Sequence, residues 1–408
     1  MQLSLAHKSK EIEANLTITG SKSETNRLLL LQALYPELKI GNKSNSDDSV
    51  AMQRALDSID KIKDIHHAGT AMRFLTAYFA TKLNSEIILT GSQRMQERPI
   101  ALLVDALRSL GAEITYTNEE GYPPLKIIGK NLEGGTVRLP ANISSQYISA
   151  LLLIAPRLKN GLQLELEGEI TSLPYIKMTL ALLERVGIST RFEGKTITIP
   201  HQAEIKNTRQ TVESDWSSAS YWFSAIALAD KGQVKLSNYR EDSLQGDAVL
   251  CEIYTKLGVE SYFDGTQLVL QKKEGARLPE VLALDLVEAP DIAQTIAVTC
   301  YGLGVACHLT GLHTLKIKET DRLLALEKEL TKLGASITVD EKSLQLASVQ
   351  NFQADQAIDT YHDHRMAMAF APLALKLSLQ INDAGVVSKS YPSFWDDMQL
   401  AGYQLSEK

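Results

Sequence analysis

The stretch KIKETDRLLALEKELTKLGASITV, residues 316–339, carries two messages, and the second decides the fold. From Leu323 it is an amphipathic helix that runs into Gly334 and then into a short β-branched run. A glycine just past such a helix suits a left-handed cap, because it has no side chain to clash there. The same pattern recurs as LLVDALRSLGAEITY (102–116), LALLERVGISTRF (180–192) and LCEIYTKLGVESYF (250–263). Its glycines, Gly111, Gly187, Gly258 and Gly334, stand 76, 71 and 76 residues apart. A fifth helix ends at Gly402, and a weaker copy, MQRALDSID, precedes Lys61. Repetition at a near-constant period means one supersecondary unit used several times.

Each unit holds a second helix that is apolar nearly all round: RLLLLQAL, MRFLTAYFA, YISALLLIA, YWFSAIALA, TIAVTCYGL and MAMAFAPLAL. Such helices are buried rather than surface-lying. Short runs such as SEIILTG, LQLELEG and QVKLSNY read as strands between them. The pattern predicts an α/β chain of six repeated units, three in each of two domains, with buried helices and outer sheets. The first unit is the shortest, since only 21 residues separate Asp48 from Gly69.

Composition narrows the function. Hydrophobic residues at 44% and charged residues at 22% are ordinary for a soluble globular protein. A net charge of −7 argues against a nucleic-acid or anionic-membrane surface. Cys251, Cys300 and Cys307 form no CxxC pair, so neither a disulfide framework nor a zinc knuckle is indicated, and all three read as buried free thiols. MQLSLAHKSKEIEANLTITG lacks the apolar core of a signal peptide, and no window reaches 18 uninterrupted apolar residues. A cytoplasmic protein is expected.

The other message is charge at helix starts. Five of the seven residues in Lys316–Arg322 are charged, directly before a helix. Alone, this reads as an acidic cap with surface ion pairs, or as a device that aims cations and a helix dipole at an anion. GSKSETNR (20–27) holds a Ser21/Glu24 capping box, but Lys22 and Arg27 oppose the dipole unless an anion lies between them. His67–Arg73, with Gly69, and Arg94–Pro99, with Arg98, also lead into helices, Pro99 as a first-turn residue. Ser144-Ser145-Gln146, Ser172 with Tyr175, and Ser217-Ser218 read as plain caps or as donors to phosphate. Asp291 reads as an N-cap or as a general base. His362-Asp363-His364-Arg365 and Lys389 complete the series, and no third ligand accompanies His362 and His364, so no metal is expected. Eight cations (Lys22, Arg27, Arg73, Arg98, Lys318, Arg322, Arg365, Lys389) at helix starts of an acidic protein point to a multiply anionic small substrate.

The motifs GSKSETNR, AGTAMR, RMQERPI, SSQY, SLPYI, DWSSASY, SLQGD, APDIAQT, KETDR, YHDHRMAMAF and SKSYPSF, in this order, resemble the 5-enolpyruvylshikimate-3-phosphate synthase family of enolpyruvyl transferases. The resemblance implies two domains, residues 1–20 with 214–408 and residues 21–213, and an active site in the cleft between them. It also implies a cofactor-free transfer from phosphoenolpyruvate to the 5-hydroxyl of shikimate 3-phosphate. Lys22, Ser23, Arg27, Ser144, Ser145, Gln146, Ser172, Tyr175, Asp291 and Lys318 would hold shikimate 3-phosphate. Lys22, Gly69, Arg98, Gln146, Arg322, Arg365 and Lys389 would hold phosphoenolpyruvate. Asp291, Glu319, Lys22, Lys318 and His364 would carry the catalysis. Asp321 is expected to be structural, and the protein a monomer.

Three features depart from the family pattern: Thr314 for Asn, His67 and Phe74 for Asn and Pro beside the phosphoenolpyruvate pocket, and a first unit shorter by about a β-hairpin. Glyphosate sensitivity therefore does not carry over. The sister transferase acting on UDP-N-acetylglucosamine shares fold and chemistry but uses a mobile, typically Cys-bearing loop, whereas the three cysteines here lie in helical or apolar runs. An RNA-phosphate-processing protein on a related fold would need a basic surface and stacking aromatics, which a net charge of −7 and 6% aromatics oppose.

Overall fold

A computed structural model describes residues 1–142, 144–170, 173–349 and 351–407, apart from the side chain of Ile317. The chain divides into two compact units, Met1–Thr19 with Glu213–Lys408, and Gly20–Val212. Among the described residues, the larger unit holds three four-stranded sheets, and the other holds two four-stranded sheets and a two-stranded one.

All five larger sheets share one plan. An edge strand runs parallel to its neighbour, and two further strands follow antiparallel. In one of them, Val281–Asp285 runs parallel to Ala306–Thr310, followed antiparallel by Leu344–Leu346 and Ile337–Val339. In another, Ile62–Asp64 and Glu86–Thr90 are followed by Leu125–Ile128 and Glu113–Tyr116. The small sheet keeps only the parallel pair, Lys39–Gly41 with Arg209–Thr211. Helix Asp47–Asp57 leads straight to Ile62–Asp64 of the next sheet, so the antiparallel hairpin is what the short first unit lacks.

The apolar helices form the cores. Lys22–Leu34, Gly69–Thr81 and Ser145–Ile154 serve one unit, and Trp216–Leu228, Ala293–Leu303 and His364–Phe370 the other. Their small polar residues pair inside the core, as in Ser220 with Thr295 (3.1 Å) and Thr299 donating to Ser224 (2.8 Å). The amphipathic helices end as expected: the repeat glycines all have positive φ, 91° at Gly334 for instance. Among the described residues, no helix is long and apolar enough to cross a membrane.

Cys300 and Cys307 are buried free thiols, but Cys251 is only half-buried, because its helix is amphipathic and turns it to the rim. Pro99 lies before the helix rather than in its first turn, since Ile100 is the N-cap of Ala101–Ser109.

Candidate active site

In the Gly20–Val212 unit the helix starts carry cations whose counter-charges are few. Lys22 opens helix Lys22–Leu34, with its ammonium 3.7 Å from Asp48. Ser21 caps that helix by accepting from the Glu24 backbone N–H at 3.5 Å. Arg27 is buried, and donates to the Ser23 carbonyl (2.8 Å), Thr179 (2.8 Å) and Ser149 (3.0 Å). Its guanidinium lies over the rings of Phe74 and Tyr175, and no carboxylate stands within ion-pair distance of it among the described residues. Burial lowers its pKa to about 10, against the raising pull of Tyr175 and Glu24. A buried guanidinium held by neutral acceptors gains from an incoming anion.

Arg98 crosses the start of helix Gly69–Thr81 so closely that a Cβ on Gly69 would stand 2.6 Å from its Nη1. Arg73, buried beneath, donates to the carbonyls of Gly69 and Pro99 (both 3.2 Å), and its pKa is lowered by burial and by Arg98. Ser144 caps helix Ser145–Ile154 by accepting from the Gln146 backbone, and the Gln146 amide donates to Thr70 at 3.2 Å. Ser145 and Tyr175 sit at their helix starts. Ser172 lies outside the described residues. Phe74 is fully buried against Arg27, and His67 pairs with His66 at 2.8 Å.

In the other unit Lys318, Arg322 and Arg365 meet carboxylates. Arg322, buried at the start of helix Arg322–Lys332, donates to Asp363 (2.6 Å), Glu319 (2.7 Å) and Asp291 (2.9 Å). Burial works against its charge, yet these carboxylates outweigh it and raise the pKa. Asp291 also meets Lys318 at 3.4 Å and Arg365 at 3.3 Å. Arg365 reaches Ser217 (3.3 Å), which donates to Asp247. Burial and Asp291 raise the Asp247 carboxyl to about 6, against Arg365 and Ser217. His364 is buried, with its Nδ1 3.7 Å from Asp363. Lys389 donates to the His362 carbonyl at 2.7 Å. The Thr314 hydroxyl is buried with no hydrogen-bond partner among the described residues.

Two sequence expectations change. Asp291 is not the cap of Ala293–Leu303: it sits in a 3-10 turn, Pro290–Ile292, and the helix starts from Ile292, which frees the carboxylate for the cations. Ser217 and Ser218 do not cap Trp216–Leu228 either, since Asp215 does so by accepting from the Ser218 backbone at 2.8 Å. Sequence reasoning missed Asp363, Asp247 and Asp48. Asp363 was detectable as the acid before a helix, but its pairing with Arg322 spans 41 residues.

Residues 39–398 match the family model described as EPSP synthase (3-phosphoshikimate 1-carboxyvinyltransferase). The chain belongs to the EPSP synthase family. A 3-phosphoshikimate 1-carboxyvinyltransferase of Bacteroides fragilis is 45% identical over 401 residues, 97% of each chain. One from Haemophilus influenzae is 37% identical over 425 residues, covering 95% of this chain and 96% of the relative. The solved structure of EPSP synthase from Acinetobacter baumannii superposes with a TM-score of 0.83 over 100% of both chains at 21% identity, which bears on the fold. Within this EPSP synthase family chain the motif residues thus fall into two groups, one rich in cations with few carboxylate partners, the other a carboxylate–cation network.

Proposed function

We propose that this chain transfers the enolpyruvyl group of phosphoenolpyruvate to the 5-hydroxyl of shikimate 3-phosphate and releases phosphate, as a cytoplasmic monomer of aromatic amino-acid biosynthesis. The observation that carries the reading is the Asp291–Lys318–Glu319–Arg322 network in a chain of this family. It combines proton-handling carboxylates with the cations an anionic substrate pair requires.

Lys22, Ser23, Arg27, Ser144, Ser145, Gln146, Ser172 and Tyr175, with Asp291 and Lys318, would bind shikimate 3-phosphate. Lys22, Gly69, Arg98, Gln146, Arg322, Arg365 and Lys389 would bind phosphoenolpyruvate. Glu319, aided by His364, protonates the methylene carbon, so that C2 becomes cation-like. The 5-oxygen attacks C2 while Asp291 takes its proton, and Lys22 and Lys318 stabilise the developing charge. The C2–O bond to phosphate then breaks as Glu319 recovers a methyl proton, with Arg98, Arg322 and Lys389 beside the leaving group. Arg322 can serve only by exchanging part of its present carboxylate contacts for substrate.

The test mixes protein, phosphoenolpyruvate and shikimate 3-phosphate and follows phosphate release, with UDP-N-acetylglucosamine as the control acceptor. Release only with the latter would overturn the reading. Glu319→Gln should lower kcat by roughly 10²–10⁴-fold, the usual contribution of a general acid–base, while both substrates still bind by calorimetry.

A further inference from the structure

Helix Arg322–Lys332 grips the segment Asp359–Asp363 at two points. At its first residue Arg322 holds Asp363. About two turns along, Glu329, fully buried, accepts from the Tyr361 hydroxyl (2.5 Å), the Asp359 backbone N–H (3.1 Å) and the Lys332 ammonium (2.7 Å). Lys332 reaches Asp359 as well, at 2.7 Å. Between the two grips, Tyr361 and His362 adopt left-handed backbone, with φ of 54° and 56°. Neither is glycine, and such conformations persist in L residues only where the surroundings over-determine them. A buried carboxylate is a poor way to gain stability alone, so what the grip holds in place matters.

It holds two cations. The His362 carbonyl accepts from Lys389, and Asp363 accepts from the backbone N–H of Arg365 at 2.8 Å, setting the start of helix His364–Phe370. A relaxed turn would swing that carbonyl and that helix start away together.

We propose that Glu329 and Tyr361 are positioning residues that hold the strained turn, and through it place Lys389 and Arg365 on the phosphate or carboxylate of the anionic substrate. The identity of that substrate rests on the function proposed above. Neither residue is among those assigned above to substrate binding, and Glu329 lies within helix Arg322–Lys332 rather than at its start.

The test uses Tyr361→Phe and Glu329→Gln in the full chain. Phosphate release by the wild type checks the functional reading by itself. The positioning role is read from inorganic phosphate titrated calorimetrically into the free protein, which needs no turnover, and from the KM for phosphoenolpyruvate. We expect Tyr361→Phe to weaken phosphate binding and raise that KM by about tenfold, as a misplaced binding group does, with kcat and the KM for shikimate 3-phosphate little changed. Tyr361→Phe removes one hydroxyl, so it decides the matter if Glu329→Gln fails to fold. Unchanged phosphate affinity and KM in Tyr361→Phe, or a parallel fall of every constant with thermal stability, would overturn the proposal. So would a wild type that binds no phosphate.

Discussion

Gly69 has no room for a side chain on its Arg98 side, where an added Cβ would stand 2.6 Å from Nη1. The obstructing atom is the far end of a flexible, exposed side chain, so Gly69→Ala should fold, with a melting temperature within about 3 °C of wild type. Arg98 must swing off the helix start, and we expect the KM for phosphoenolpyruvate to rise roughly tenfold. Steady-state kinetics beside a melting curve separate the two effects. Asp247 yields a pH signature. Burial and Asp291 raise its carboxyl to about 6, with Asp215 adding to them and Arg365 and Ser217 opposing. The folded protein then keeps a proton that the unfolded chain loses near pH ~4. This contribution to stability is full below about pH 4 and fades as pH rises through 6. Asp247→Asn keeps an acceptor for Ser217 and has no such slope. Its melting temperature relative to wild type should rise from pH 4 to pH 7, by at most the equivalent of about 3 kcal/mol; a constant difference would refute the assignment. At this scale the sequence shows which residues carry charge but not who pairs with whom. Lys318, Glu319 and Arg322 are legible from alternation at one helix start. The bonds that saturate Arg322 come from Asp291 and Asp363, 31 and 41 residues away, and no local pattern encodes them.

Helix Arg322–Lys332 begins with Asp321, whose carboxylate accepts from the backbone N–H groups of Leu323 and Leu324 at 3.2 Å each. Those donors have no partner inside the helix. Asp321→Ala should cost about 1 kcal/mol, read as a lower midpoint in a urea melt, whereas Asp321→Asn should restore most of it. Kinetic constants should move far less than for Glu319→Gln, two residues away; a kcat loss as deep would make Asp321 catalytic. Capping chemistry is local, which is why the sequence exposes Ser21, Ser144 and Asp321 correctly. It misleads at Asp291 and Ser217 because several polar residues crowd one helix start there. The competition is settled by tertiary partners: the cations draw Asp291, while Asp247 and Arg365 draw Ser217.

The six-fold repeat is legible across the whole chain because each copy needs the same buried helix and five of them the same glycine cap, the first helix, Asp47–Asp57, ending at Ser58 instead. Even the missing hairpin shows, as a shortfall between Asp48 and Gly69. What stays hidden is which strand completes which sheet. Leu3–Ala6 is a central strand of the last sheet, between Leu379–Ile381 and Gln404–Glu407, with Leu3 paired to Ile381 on one side and Glu407 on the other. Glu11–Leu16 runs parallel to Lys231–Leu236. Pairings across such separations follow from chain closure rather than from any local signal. The register has a consequence for engineering. Because Leu3 faces Glu407 in an antiparallel pair, a short Gly-rich linker can join residue 408 to Met1 as a hairpin. The exposed stretch at Glu274–Gly275, between Gln267–Lys272 and Val281–Asp285, can then be opened, since chain breaks are tolerated at exposed loop tips. The permutant running from Gly275 to Glu274 should keep every sheet, fold, and melt within about 5 °C of the parent. Deleting residues 1–9 instead removes a buried central strand, exposes both neighbours, and should abolish cooperative unfolding of the Met1–Thr19 with Glu213–Lys408 unit. Circular dichroism melts of the two variants side by side make the comparison. A deletion variant that still unfolds cooperatively would mean that Leu3–Ala6 does not hold the last sheet together.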